Sequence, residues 1–387
     1  MKKFLLLLIA LLFGLKASPL YALIIEPTWD PSITTNSEAS AITNGILFAI
    51  QTLENDIDDN LTVKIDFVNN SNVDLGENST YYLPVTYSSY LADLRSSATS
   101  VDDSNALSRL PVSSTDPVIG GSQIDLQLPL ARLFGFYSSY GPDGYDSTIY
   151  LNIPIMNLSR PGANPNNYDL VSVTEHEMDE VLGFISTLPG NYPGGPIGPM
   201  DLFRYTTNVV RTWTTNGDNA YFSVDGTNLL ARFNQQLGGD FHDWWSYTNL
   251  WAPPGVTPYP QVQDAYAYPD TSPDLGSNEL SGLDVIGYTL ASSVPKIRIQ
   301  ASGKNLFTIS WLATSSGYVL QQSTNLSRNV WTDSATGSTN WVTLTFTNTD
   351  EFFRLAKVSA PPAGMPAASP DNLVLQQVTH AYRRHRQ

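Results

Sequence analysis

The sequence predicts an α+β fold in two parts, on three observations. Asp169–Ser186 (DLVSVTEHEMDEVLGFIS) has helical periodicity, with Val171, Met178, Val181, Leu182 and Ile185 recurring at i, i+3, i+4 and i+7 spacings. Ahead of it, strand-like and helix-like stretches alternate. After Tyr288 the texture changes to short alternating runs separated by Ser, Thr, Asn and Gly turns, the pattern of an all-β sandwich. At 387 residues the chain is also too long for one ordinary core. The expected organisation is a signal peptide over 1–22, a principal domain over 23–291, a β-sandwich over 292–357 and a disordered tail over 358–387.

In chain order, Lys2 and Lys3 followed by apolar Phe4–Leu15 form a secretory leader, with cleavage after Ala22 or Ala17. The mature chain is therefore expected outside the cytoplasm. Leu23–Thr28 reads as a strand. Ser37–Ile57 reads as a helix, striped by Ala39, Ile42, Ile46, Ile50, Leu53 and Ile57 and capped by Ser37 or Asn36. Leu61–Phe67 alternates, with Val63, Ile65 and Phe67 inward. A shorter helix is expected within Tyr87–Ser97, and polar Ser100–Pro117 reads as loop. Thr148–Ile153 alternates again, and Pro154 directly after it argues for an edge strand. The Gly/Pro-rich run from Pro189 to Pro199 is a long loop. Asp225-Gly226 marks a turn, and Asn228–Phe233 is a short helix candidate. From Val358 the chain is rich in Ala, Pro and Ser and ends basic.

Charge narrows the partners. With 20 basic and 36 acidic residues the net is −16. Loss of Lys2, Lys3 and Lys16 with the leader brings the mature chain to about −19. That argues against nucleic acid and anionic membranes. No stretch after the leader is long and apolar enough to span a bilayer. With no cysteine the fold rests on its core alone.

The central helix carries the chemistry. His176, Glu180 and Gly183 fall together opposite its apolar stripe, with Glu177 on the flank. A His/Glu pair four apart beside a core face is the geometry of a metal-binding helix. Its spacing resembles the zincin motif His-Glu-x-x-His, in which two histidines bind zinc and the glutamate works on the bound water. Glu180 stands at the second histidine position, where a carboxylate can still ligate zinc. The longer metzincin pattern also fails at Ser186, where a third histidine would fall. An amphipathic helix with a solvated acidic face is the competing structural reading.

Four further stretches extend the resemblance: Asp201–Tyr205, Tyr221–Gly226, Gly239–Trp244 and Leu283–Tyr288. With His176–Gly183 they resemble, in the same order, a group of secreted bacterial metalloprotease-like proteins distantly similar to metzincins. The resemblance spans roughly Leu23–Ala291. It implies a zincin-like domain with a central metal-site helix and a mixed sheet, a zinc cofactor and a protein or peptide substrate. Tyr318–Leu326 and Phe352–Leu355 similarly resemble small β domains appended to secreted proteins of environmental bacteria.

His176 and Glu180 are thus the expected metal ligands and Glu177 the general base. His242, in the cluster Asp240-Phe241-His242-Asp243, and Asp201, beyond the flexible loop, compete as third ligand. Met200 is a candidate floor under the site, and Tyr205 and Tyr221 are candidate oxyanion donors. Each has a packing alternative, and Asp284 reads as a cap or structural pair. Calcium is a second cation to consider on Asp143, Asp146 and the run Asp56, Asp58 and Asp59, although none follows a calcium-loop spacing. Two functions compete: a zinc endopeptidase whose edge strand pairs with substrate, and an inactive scaffold that binds a surface or glycan through its β domain.

Overall fold

The computed structural model describes residues 23–188, 195–207, 210–214, 219–246, 260–291, 298–303, 306–310, 318–323, 331–334, 341–345, 352–357 and 379–384. The expected leader and much of the loop at 189–199 lie outside them. Helices and sheets are both present, as the α+β class requires.

The first part opens with β1 (Leu23–Trp29), α1 (Pro31–Thr34), α2 (Ala39–Asp56) and β2 (Leu61–Asn69). The apolar stripe of α2 and the alternation of β2 work as their periodicity predicts, burying Ile42, Ile46, Ile50 and Leu53, and Val63, Ile65 and Phe67. The expected side-chain cap of α2 is absent: Glu38 is the N-cap, and Asn36 accepts from the Glu38 amide instead. β3 (Gly76–Thr80), β4 (Tyr82–Thr86) and α3 (Tyr87–Ser97) follow, then α4 (Val101–Arg109) within the stretch expected to be loop. α4 starts on a reciprocal capping box between Ser100 and Asp103. Next come β5 (Gln123–Gln127), α5 (Leu128–Leu133), β6 (Ser147–Leu151), β7 (Met156–Asn157), β8 (Tyr168–Asp169) and α6 (Leu170–Val181).

A six-stranded mixed sheet forms the platform. Its order is β1-β2-β6-β3-β19-β12, where β12 is Tyr266–Ala267 and β19 is Thr379–Arg384. β1, β2 and β6 run parallel, and β3 is antiparallel to β6. The expected edge strand at Thr148–Ile153 is therefore internal. Pro154 lies beyond its end, in the 3-10 turn Ile153–Ile155, and removes no ladder donor. β19 lies in the tail expected to be disordered, pairing antiparallel with β3 and parallel with β12.

α2 and α6 pack on each other and on this sheet. Their crossing is close at Gly45, where a Cβ would sit 2.8 Å from Leu170 Cδ2. A small three-stranded antiparallel sheet follows α6, with β10 (Tyr221–Phe222) between β9 (Arg204–Tyr205) and β11 (Ala231–Arg232). β11 replaces the helix expected over Asn228–Phe233. The Asp225-Gly226 turn forms as expected, with Gly226 at φ +69°. α7 (Ser277–Ile286) closes this part and packs against Phe184 at Gly282.

The second part contains β13 (Arg298–Gly303), β14 (Leu306–Ser310), β15 (Tyr318–Ser323), β16 (Thr332–Asp333), β17 (Trp341–Thr345) and β18 (Phe352–Lys357). They form two antiparallel three-stranded sheets, β13-β14-β17 and β16-β15-β18. Ile309 and Leu320, one from each sheet, are buried in one cluster with Val342, Leu344, Phe353 and Leu355.

Candidate metal centre

α6 sets the site, and its surroundings exclude the solvated-face reading. All twelve of its residues are buried, Glu175, His176, Glu177, Asp179 and Glu180 among them. Asp169 caps it, accepting from the Ser172 amide at 2.8 Å, and Arg160 holds Asp169 in turn. The helix ends at Val181, five residues short of the expected Ser186. Gly183 is not on a helical face: at φ +105° it makes the left-handed turn that stops the helix.

Two elements bring partners to this helix. The loop of His242 and Asp243 is held by a backbone bond from Asn234 N to Asp243 O (2.7 Å). The buried Arg204 guanidinium donates to Phe241 O at 2.6 Å, and burial lowers its pKa to about 10. Trp244 locks the other side, its indole donating to Glu279 Oε1 at 2.9 Å and its amide to Gln263 O at 2.6 Å.

His176, Glu180 and Asp243 thereby form a buried group that could hold a metal ion. His176 Nε2 lies 3.4 Å from Glu180 Oε1 and 3.8 Å from Asp243 Oδ1. Tetrahedral ligands at ordinary zinc distances stand about 3.3–3.5 Å apart. The imidazole is also set for ligation. Its Nδ1 donates to Val262 O at 2.8 Å, which turns Nε2 toward the carboxylates, the nitrogen that would ligate an ion there. His242 joins the cluster, its Nε2 2.7 Å from Glu180 Oε1 and 3.5 Å from Asp243 Oδ1.

The donor set fits a cation. The Gln263 amide nitrogen, a weak positive pole, lies 3.0 Å from Asp243 Oδ1 and 3.4 Å from both His176 Nε2 and Glu180 Oε1. Asp243 Oδ2 has no hydrogen-bond partner among the described residues. Burial pushes the Asp243 carboxyl well above its usual range; His176 opposes that shift and Glu180 adds to it. Asp179 is raised likewise by burial, with Glu279, Glu175, Glu180 and Asp56 contributing.

Glu177 lies against β3. Asn78 Nδ2 donates both to Glu177 Oε2 (2.9 Å) and to Glu180 Oε2 (2.5 Å). Thr80 Oγ1 donates to Asn78 Oδ1 at 2.7 Å, which turns the amide nitrogen toward the two glutamates. Gly76 leaves room for the carboxylate: a Cβ there would meet Glu177 Oε1 at 2.4 Å.

Of the expected site residues, His176, Glu177, Glu180 and His242 come together. Asp201 does not. Its Oδ2 accepts from the Gly198 and Thr187 amides and its Oδ1 from Ser186 Oγ, so it ties the chain after α6 to the segment that follows. Where His242 or Asp201 is expected as third ligand, the group that could hold a metal is completed by Asp243, the residue after His242. Asn78 and Gln263 have no chemical signature in sequence. Met200 is core, Tyr205 and Tyr221 are buried in packing, and Asp284 pairs with Ser100 Oγ as expected. Three of the five calcium candidates serve the fold: Asp146 pairs with Arg132, Asp59 accepts from Thr289, and Asp143 accepts from the Tyr145 amide. No protein-family model, curated protein or solved structure matches the chain.

Proposed function

We propose that the protein is a secreted, zinc-dependent metallopeptidase-like hydrolase acting on protein or peptide substrates. The observation that carries the reading is the convergence of His176 Nε2, Glu180 Oε1 and Asp243 Oδ1 in one buried group, with Glu177 joined to Glu180 through Asn78. One imidazole and two carboxylates neutralise a divalent ion, and three protein ligands leave a fourth position open, as catalytic zinc sites do. Zinc in this position would polarise a carbonyl and acidify a bound water, less strongly than in a three-His site because the two carboxylates offset its charge.

The chain's own residues then have distinct tasks. Glu177 would serve as the proton acceptor for an attacking water and the proton donor to the leaving amine. Asn78 sets the separation of Glu177 from Glu180. His242 orients Glu180, and Val262 O fixes the tautomer of His176. The mixed sheet with α2 and α6 across it is in keeping with a zincin-like domain, and the two small C-terminal sheets with a β-sandwich. The leader-like start of the sequence supports secretion. Among the described residues no helix is long and apolar enough to cross a membrane.

The inactive-scaffold reading, with the β domain contacting a surface or glycan, draws on one feature. The donor atoms lie on residues with 0–1% exposure, closed to a substrate as they stand. Elemental analysis of the purified chain and a casein assay separate the two readings. The peptidase reading expects about one zinc per chain, lost in His176→Ala, together with cleavage. Equal metal in parent and variant, or zinc without any cleavage, refutes it.

A further inference from the structure

β19 sits where the sheet meets the metal centre. On one side it pairs antiparallel with β3, setting Thr379 opposite Ser79, His380 opposite Asn78, Ala381 opposite Glu77 and Tyr382 opposite Gly76. On the other it pairs parallel with β12, setting Arg383 opposite Tyr266 and Arg384 opposite Ala267. Both neighbours carry the site. β3 supplies Asn78, which holds Glu177 and Glu180, and Gly76, which makes room for Glu177. β12 follows Val262 and Gln263, which touch His176 and Asp243. α6 packs against both β3 and β19. Without β19, two strand edges would face each other across a one-strand slot beside the metal ligands.

β19 differs from its neighbours in charge and in how it is attached. It reads Thr-His-Ala-Tyr-Arg-Arg and, like β3, lacks the apolar alternation of β2 and β6. It is basic in a chain of net charge −16, and an Ala/Pro/Ser-rich stretch joins it to the rest. We propose that the slot between β3 and β12 is the groove for an extended peptide, bound by strand addition, and that the chain's own Thr379–Arg384 segment is its resident, displaceable occupant. Backbone pairing on both edges would hold such a peptide whatever its sequence, and pockets between alternate side chains would select among sequences. The identification of that peptide as substrate rests on the peptidase reading above; the displaceable occupancy does not.

A tethered occupant competes at an effective concentration of about 1 mM. If the same segment binds as a free peptide with a Kd of about 0.1 mM, the tether weakens its apparent binding roughly tenfold. The test uses a fluorescent synthetic peptide spanning Thr379–Gln387 and the full chain. Ala381→Pro removes a backbone donor from β19 and should disfavour its pairing. The variant, melting cooperatively, should bind the peptide about ten times more tightly than the parent, with zinc content unchanged. Equal peptide binding by a folded Ala381→Pro chain overturns the proposal.

A second variant covers the case in which Ala381→Pro does not fold. The chain has no cysteine, so Ser79→Cys with Thr379→Cys introduces a single pair, placed opposite in register. Opposed Cβ atoms about 4.5–5.5 Å apart are close enough to cross-link with a small backbone adjustment. Oxidation should form the bond and abolish peptide binding, and reduction should restore it. Failure to cross-link, or peptide binding unaffected by the cross-link, refutes the occupancy. Absence of casein cleavage by the parent chain, with these binding results intact, counts only against the peptidase reading.

Discussion

Replacing Asn78 by alanine removes an amide that holds two glutamates at once. Asn78 Nδ2 lies 2.9 Å from Glu177 Oε2 and 2.5 Å from Glu180 Oε2, and all three residues are fully buried. A hydrogen bond to a charged group is worth roughly 1.5–3 kcal/mol. Loss of two such bonds should cost the metal-free protein about 3–6 kcal/mol. In a domain of this size that lowers Tm by at least about 6 °C. Zinc should recover only part of the loss, because it compensates Glu180, which it contacts, and not Glu177. The assay is a thermal melt of parent and Asn78→Ala in chelator and in saturating zinc. A variant melting within about 2 °C of the parent in chelator would refute the bridging role of Asn78. Full recovery by zinc would mean that Glu177 does not depend on the amide.

Three other expectations follow from the same geometry. Asp243→Asn should strip the purified protein of zinc, whereas Asp201→Asn should keep it and lose about 2–4 kcal/mol of stability, since only the structural acceptor is impaired; elemental analysis and urea melts check the pair. Glu177→Gln should retain the metal and cut casein cleavage by roughly two to four orders of magnitude, read as initial rates at fixed zinc. Burial pushes the Asp125 carboxyl up to about 6 from its ordinary 3.8, and its Oδ1 has no hydrogen-bond partner among the described residues. Its folded pKa therefore lies above the unfolded one, so its contribution to stability is whole below about pH 3.8 and lost as pH rises through about 6. Asp125→Asn should melt higher than the parent at pH 7.5, and that gain should shrink toward pH 4.

Local patterns were readable where one periodicity set one buried face. α2, β2 and the apolar side of α6 follow from such runs. The helix at α4 was readable too, since Ser100 and Asp103 have the spacing of a capping box, but polar composition masks it. Context beyond the local run decided the rest. Whether β6 is an edge depends on the pairing of β3, and β3 (Gly-Glu-Asn-Ser-Thr) has no apolar alternation. Burial of Glu175, Glu177 and Asp179 cannot be read from a helix whose polar side looks solvated in isolation. At the site, His176, Glu177, Glu180 and His242 are legible because their residue types carry metal or base chemistry. Asp243 is legible only as a neighbour of His242. Asn78 and Gln263 act through distances across the fold, 99 and 87 residues from the side chains they meet.

The enclosure of α6 has a kinetic consequence. Every donor atom of the candidate centre sits on a residue that is essentially sealed from water. An ion bound there could leave no faster than the surrounding structure opens. Removal by a chelator should then saturate: above some chelator concentration the rate should stop rising and equal the opening rate. That plateau should match the exchange of the α6 backbone amides with deuterated solvent under conditions where each opening is captured. The protein would hold its metal by a slow door as much as by a strong bond. Two preparations of equal affinity could then differ widely in metal content according to how long each had been exposed to chelator.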